Sequence, residues 1–270
     1  MDFTGKKHGT VIRQRMKKKR VLAIGAHYDD MEQFCGGTLI LLKKKGYEVL
    51  IAVLTSGECG SKELPAKEIV TVREKEAKIG ARMIGATILC LGIRDGCVSY
   101  DLPTAKKLVK LIREYQPGII ITHPTIDYMT DHAHTGQLVL WAVPEATHPN
   151  FPVQTKAPAL DAQPFVYHSD PQGLIGPDGQ ITRVSTIVDI GDVIEQKLNA
   201  FGSHKSQIGF LVVPSSGRKI DSVEKTRRWA ITRGQQVRVE YGEGFTQQLL
   251  EQYPRKNILA EILKDKVFTL

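Results

Sequence analysis

No apolar run in the 270 residues approaches the roughly 20 needed to cross a bilayer, so a membrane-spanning helix is not expected. The charged amino terminus is not followed by the apolar segment of a secretory signal, and a soluble, cytoplasmic protein is the expectation. Cysteine is scarce: Cys35, Cys59, Cys90 and Cys97 form no Cys-x-x-Cys pair, which argues against a four-cysteine zinc site. Cys35 and Cys90 lie in or beside apolar runs and read as small core residues in a reducing compartment. There is no internal repeat and no Gly-x-Gly-x-x-Gly loop, so a dinucleotide site is not indicated.

The chain is 41% hydrophobic and 24% charged, enough to bury the core of one sizeable domain. Its net charge of +8 is unevenly placed. Residues 1–20 carry eight basic residues against Asp2 alone, whereas the remainder holds 29 basic and 28 acidic residues. The body is nearly neutral, which argues against nucleic acid as the partner. Residues 1–19 read as a basic, solvated extension, with Met16 an alternative start to Met1, and residues 20–270 as a single domain.

Alternating strand and helix signals fill the first half. Val21 to Ala26 is an apolar strand; a helix runs from about Asp30 to Lys45 and stops at Gly46. Tyr47–Thr55, Thr87–Leu91 and Gly118–His123 read as further buried strands, with helices over Lys67–Gly85 and Pro103–Tyr115 between them. A helix follows through Gln137–Val143. This order implies an α/β protein with a Rossmann-like, mostly parallel sheet covered on both faces. Residues 143–185 read as a loop-rich insertion with a strand at Phe165–His168, and its Pro-rich part from Pro144 to Pro164 reads as a long loop over the site. A strand over Ser185–Ile190 and a helix over Val193–Ser203 follow. The part from 220 to 270 reads as mostly helical, anchored by Trp229 and Phe245.

The chemistry concentrates where the first strand ends, in Ala26-His27-Tyr28-Asp29-Asp30, the place where open α/β sheets bind ligands. An aspartate before an apolar run is also a common helix cap. A second polar cluster, Asp127-Tyr128-Met129-Thr130-Asp131-His132-Ala133-His134-Thr135-Gly136, lies beyond the fourth strand and reaches the same rim. His27, Asp30 and His132, with water in a fourth position, would make an open zinc site of the catalytic type. Asp29 would stand beside it as a general base.

With Gly36-Gly37 after it, the first motif resembles that of the N-acetylglucosaminylphosphatidylinositol de-N-acetylases and the bacterial LmbE-like zinc deacetylases. The downstream Asp131-His132-Ala133-His134-Thr135-Gly136 is similar to their second motif, and Arg73-x-x-Glu76, Asp95-Gly96 and His204-Lys205-Ser206-Gln207 resemble lesser ones, over about residues 20 to 210. The resemblance implies Zn2+, or another divalent metal, on His27, Asp30 and His132, with Asp29 as base. It implies removal of an acetyl group from an N-acetylated sugar or glycoconjugate, and a homo-oligomer.

Two positions depart from the family pattern. Tyr28 replaces a proline, and Met129 stands where many members have a second catalytic histidine. Residues weighed for the missing oxyanion or proton-donor role are His123, His134, His168 and Tyr28, with His204 a weaker candidate. Arg73 has two readings, a contact for an anionic part of the substrate or a surface pair with Glu76. Competing with the deacetylase are a metal-dependent hydratase acting on an unsaturated acid and a non-catalytic binding protein.

Overall fold

The computed structural model of the chain describes residues 19–208 and 221–270; the basic stretch 1–18, with Met16, lies outside the described residues. Strand β1 (Arg20–Gly25) leads to α1 (Asp30–Lys44), β2 (Glu48–Thr55), α2 (Ala66–Ile84), β3 (Thr87–Ile93), α3 (Leu102–Tyr115), β4 (Ile119–Thr122) and α4 (Thr130–Glu145). Then come β5 (Phe165–Ser169), β6 (Thr186–Asp189), α5 (Ile194–Phe201), α6 (Ser222–Gln235), β7 (Gly242–Gln247), α7 (Ile258–Leu263) and β8 (Val267–Thr269).

All eight strands form one sheet in the order β3-β2-β1-β4-β5-β7-β6-β8. The first five are parallel, and β7, β6 and β8 join by antiparallel pairing. Because successive side chains of a strand face opposite ways, β1 feeds two cores. Val21 and Ala23 pack with Met31, Leu39 and Leu42 of α1 and Ala81 of α2. Leu22 and Ile24 pack with Leu108 and Ile112 of α3 and Leu138 and Val139 of α4. Strands buried on both faces are why the early apolar runs are continuous rather than alternating. Strand order reverses between β1 and β4, and the crevice beyond their carboxyl ends is the natural binding position.

Two expectations need correction. The carboxyl-terminal part is not mostly helical: β7 and β8 lie in it, and Phe245 is a fully buried strand residue. The strand signal of β7 is masked by Gly242, Glu243 and Gly244. A Cβ at Gly244 would lie 2.5 Å from Asp170 Oδ2, so glycine there reflects close packing rather than a turn. Nor does the segment 146–164 cover the crevice. It is held against α3, where the Arg113 guanidinium donates to the carbonyls of Glu145, Ala146 and His148. None of its residues lines the cleft described below.

Candidate metal centre

The turn between β1 and α1 closes on itself: the His27 backbone N–H donates to Asp30 Oδ2 at 2.7 Å. Asp29 occupies the cap position of α1 but makes no side-chain cap hydrogen bond, so capping does not account for it. His132 comes from the first turn of α4, the helix that follows β4. Gly136, one turn further on, lets α4 lie directly on the preceding loop. A Cβ there would approach the Pro124 and His123 carbonyl oxygens to 2.5 and 2.6 Å. That close approach brings His132 over the end of β1, and it is the physical content of the His-x-x-x-Gly spacing.

His27, Asp30 and His132 converge. His27 Nδ1 lies 3.3 Å from His132 Nε2 and 3.5 Å from Asp30 Oδ2, and His132 Nε2 lies 3.3 Å from Asp30 Oδ1. Tetrahedral zinc, with ligand distances of about 2.0–2.1 Å, sets neighbouring ligand atoms about 3.3–3.4 Å apart. The spacing and the donor types therefore fit such an ion. Each imidazole is also held from behind. His27 Nε2 lies 3.2 Å from Asp95 Oδ1 and 3.6 Å from Asp131 Oδ2, and His132 Nδ1 lies 3.4 Å from Asp127 Oδ2. Such outer carboxylates fix ring orientation and tautomer in metal sites.

A second group, His27, Asp95 and Asp131, is also close enough to hold a cation. Its acids are already engaged, however. Asp131 accepts the backbone N–H groups of Gly96 and Val98 at 2.8 and 3.2 Å. Asp95 faces the Arg73 guanidinium at 3.6 Å. The role these neighbours support is to orient His27.

Without an ion the cluster is a dense charge network. Burial pulls the His27 pKa down, but Asp30 beside it and hydrogen bonds to Asp131, Asp30 and Asp95 outweigh this and raise it well above its ordinary value. For His132 burial is likewise overcome, chiefly by Asp30, giving about 9. Burial disfavours the Asp30 carboxylate, yet His132, His123 and His27 hold its pKa well below the usual range. His123 goes the other way, to about 4, through burial and the adjacent His132.

The remaining predicted residues fall in different places. Asp29 and Arg73 border the cleft, and Arg73 donates from Nη2 to Asp29 Oδ1 at 3.0 Å. Arg73 is not a surface pair with Glu76, which instead accepts from Ser206. His123 is fully buried behind the centre, with Nε2 2.8 Å from Asp30 Oδ2, and does not line the cleft. Tyr28 packs into the core beneath the sheet end and does not line it either. His134 Nδ1 bonds to the Val98 carbonyl and His168 Nδ1 to the His123 carbonyl, both away from the cleft. His204 is fully buried, 3.7 Å from an equally buried Glu32. Met129 does line the cleft, beside His132.

The cleft, about 290 Å3, also exposes Cys59, Tyr128, Gln172, Gln207 and Ser222. That volume lies near the lower end of the ~300–1,000 Å3 usual for small-molecule sites. Sequence reasoning missed Asp127, Asp131 and Asp95 as histidine partners and gave Glu32 no role. The only signal for the first three was their place inside or beside the quoted motifs.

Fold and centre together define a Rossmann-like α/β protein with two histidines and a carboxylate arranged as for a metal ion at the crevice of its sheet. The chain belongs to the PIG-L family: the family model described as GlcNAc-PI de-N-acetylase matches residues 22–143. It is 33% identical over 200 residues to a diacetylchitobiose deacetylase of Thermococcus kodakarensis, covering 70% of each chain. The solved N,N'-diacetylchitobiose deacetylase from Pyrococcus horikoshii, in complex with an inhibitor, superposes with a TM-score of 0.72 at 27% identity, covering 96% of this chain and 98% of that one. A 4-oxalmesaconate hydratase of Pseudomonas putida is 28% identical over 123 residues, 43% of this chain and 48% of its own length. No helix among the described residues is long and apolar enough to cross a membrane.

Proposed function

We propose that the protein is a metal-dependent hydrolase that removes the acetyl group from an N-acetylated amino sugar or related amide. The observation that carries this reading is the convergence of His27, Asp30 and His132 at 3.3–3.5 Å, with Asp29 at the edge of the same cleft. The similarity to diacetylchitobiose deacetylases over most of the chain supports the substrate class.

His27, Asp30 and His132 would hold zinc or another divalent ion, which when bound polarises a carbonyl oxygen and makes water easier to deprotonate. Asp29 accepts a proton from the water that adds to the acetamide carbon and passes it to the nitrogen as the C–N bond breaks, releasing acetate and the free amine. Asp95 and Asp127 keep the two imidazoles turned inward. Phe34, set edge-on to the His123 and His132 rings with centroids 5.6 and 5.8 Å away, makes one side of the centre apolar. Met129, which lines the same cleft, supplies no hydrogen-bond donor, and this keeps water addition to an unsaturated acid as the second reading.

The test is metal analysis with acetate release from N-acetylglucosamine and N,N'-diacetylchitobiose. Bound metal, acetate release, and a fall in kcat of about 10²–10⁴-fold in Asp29→Asn are expected. Hydration of unsaturated dicarboxylic acids without acetate release would replace the reading with the hydratase, and a metal-free, inactive protein would end both.

A further inference from the structure

Arg73 is more enclosed than a substrate contact requires: it is 3% exposed although it borders the cleft. Both terminal nitrogens are committed to protein partners, and among the described residues only Nε is left without one. Nη2 donates to Asp29 Oδ1 at 3.0 Å, Nη1 donates to the Gly57 carbonyl at 3.1 Å, and Nη1 lies 3.6 Å from Asp95 Oδ2. Two glycines shape the slot. A Cβ would come within 2.6 Å of the guanidinium at Gly57 and within 2.5 Å at Gly60. The loop after β2 thus clamps a planar, five-donor group whose fork geometry is rigid.

Asp29 needs such a clamp. It stands just outside α1 with no cap hydrogen bond, so the helix does not fix its carboxylate. We propose that Arg73 is a positioning residue for Asp29, gripping Oδ1 so that Oδ2 is presented to the attacking water. The proposal rests on the hydrolase reading above. Direct contact of Arg73 with an anionic substrate is the competing account, and kinetics separate the two because an orienting role acts on kcat and a binding role on KM.

The metal-loaded full-length protein and its Arg73→Ala, Arg73→Lys and Gly60→Ala variants are compared by kcat, KM and metal content, with and without guanidinium chloride at concentrations that leave the fold intact. Arg73→Ala is expected to lower kcat by about 10²-fold, the scale of a misplacement of about 1 Å. KM should stay within about threefold and metal content should not change. Added guanidinium should restore part of kcat in Arg73→Ala and none in Asp29→Asn.

Gly60→Ala keeps the charge but displaces the fork, and should lower kcat by about tenfold. Lysine carries the charge without the fork, so Arg73→Lys should also lower kcat at unchanged KM. If Arg73→Ala does not fold, these two variants decide the matter. A raised KM at unchanged kcat, lost metal, or an unaltered kcat overturns the proposal. A wild-type protein that releases no acetate from N-acetylated amino sugars brings down the hydrolase reading instead, a result distinct from an active wild type whose variants behave normally.

Discussion

Each histidine of the centre has one nitrogen turned to the shared focus and the other turned to an acid, and the acids are themselves pinned. Asp127 accepts the Met129 and Gln172 backbone N–H groups at 2.9 and 3.1 Å while facing His132 Nδ1. Asp127→Asn keeps the shape and removes the charge. It should weaken metal binding by about 10–100-fold, measured by competition with a chelator of known affinity; an unchanged affinity would mean His132 needs no outer partner. His27, Asp29 and Asp30 were legible in the sequence because they are contiguous and sit where a strand signal meets a helix signal. The grip of Arg73 on Asp29 spans 44 positions, and no local pattern encodes a contact between a helix residue and a turn that far away.

At the level of elements, α4 is the part whose placement decides the site. Its amino terminus carries His132, and its approach to the β4 end depends on the missing side chain at Gly136. Gly136→Ala would set a methyl group against backbone oxygens, which cannot swing aside as a side chain can. Stability should fall by about 1–3 kcal/mol in urea unfolding, and metal affinity should fall with it as His132 moves outward. A variant as stable and as metal-competent as the parent would show that α4 can shift freely. The helices and strands through α4 were readable since long apolar periodicities dominate there. β7 was not, because its glycines answer to the close approach of Ile187 and Asp170, and Glu243 to the Gly37 and Thr38 N–H groups and Lys197, rather than to strand propensity.

Across the whole molecule, two histidines fold in their neutral form. Burial, followed by the neighbouring His132, sets His123 at about 4, and burial moves His168 below its ordinary value. In the unfolded chain both take up a proton near pH 6.5. Between about pH 6.5 and 4 the unfolded state therefore binds more protons, and stability should fall as pH falls. His27 and His132, raised in the fold, are protonated in both states across that window; their contribution is full below about pH 6.5 and is lost as pH rises through their folded values, about 9 for His132. The check is the urea midpoint at pH 7 and pH 5 on metal-free protein. His168→Gln should lose less stability on acidification than the parent, and an identical loss would remove His168 from the balance.

The sequence by itself determined the parallel half of the sheet and singled out His27, Asp29, Asp30 and His132, which the fold brings to one cleft, because each is written in a short run of residues whose periodicity or chemistry is local. Only the tertiary structure decided what surrounds them. It buried Tyr28 and His123 away from the cleft, set the segment 146–164 against α3, and placed β7 inside the sheet. It also gave Arg73 to Asp29 rather than to Glu76. The physical reason is the same throughout: burial and ion pairing depend on which distant segments share a volume, and that follows from the packing of helices on the sheet.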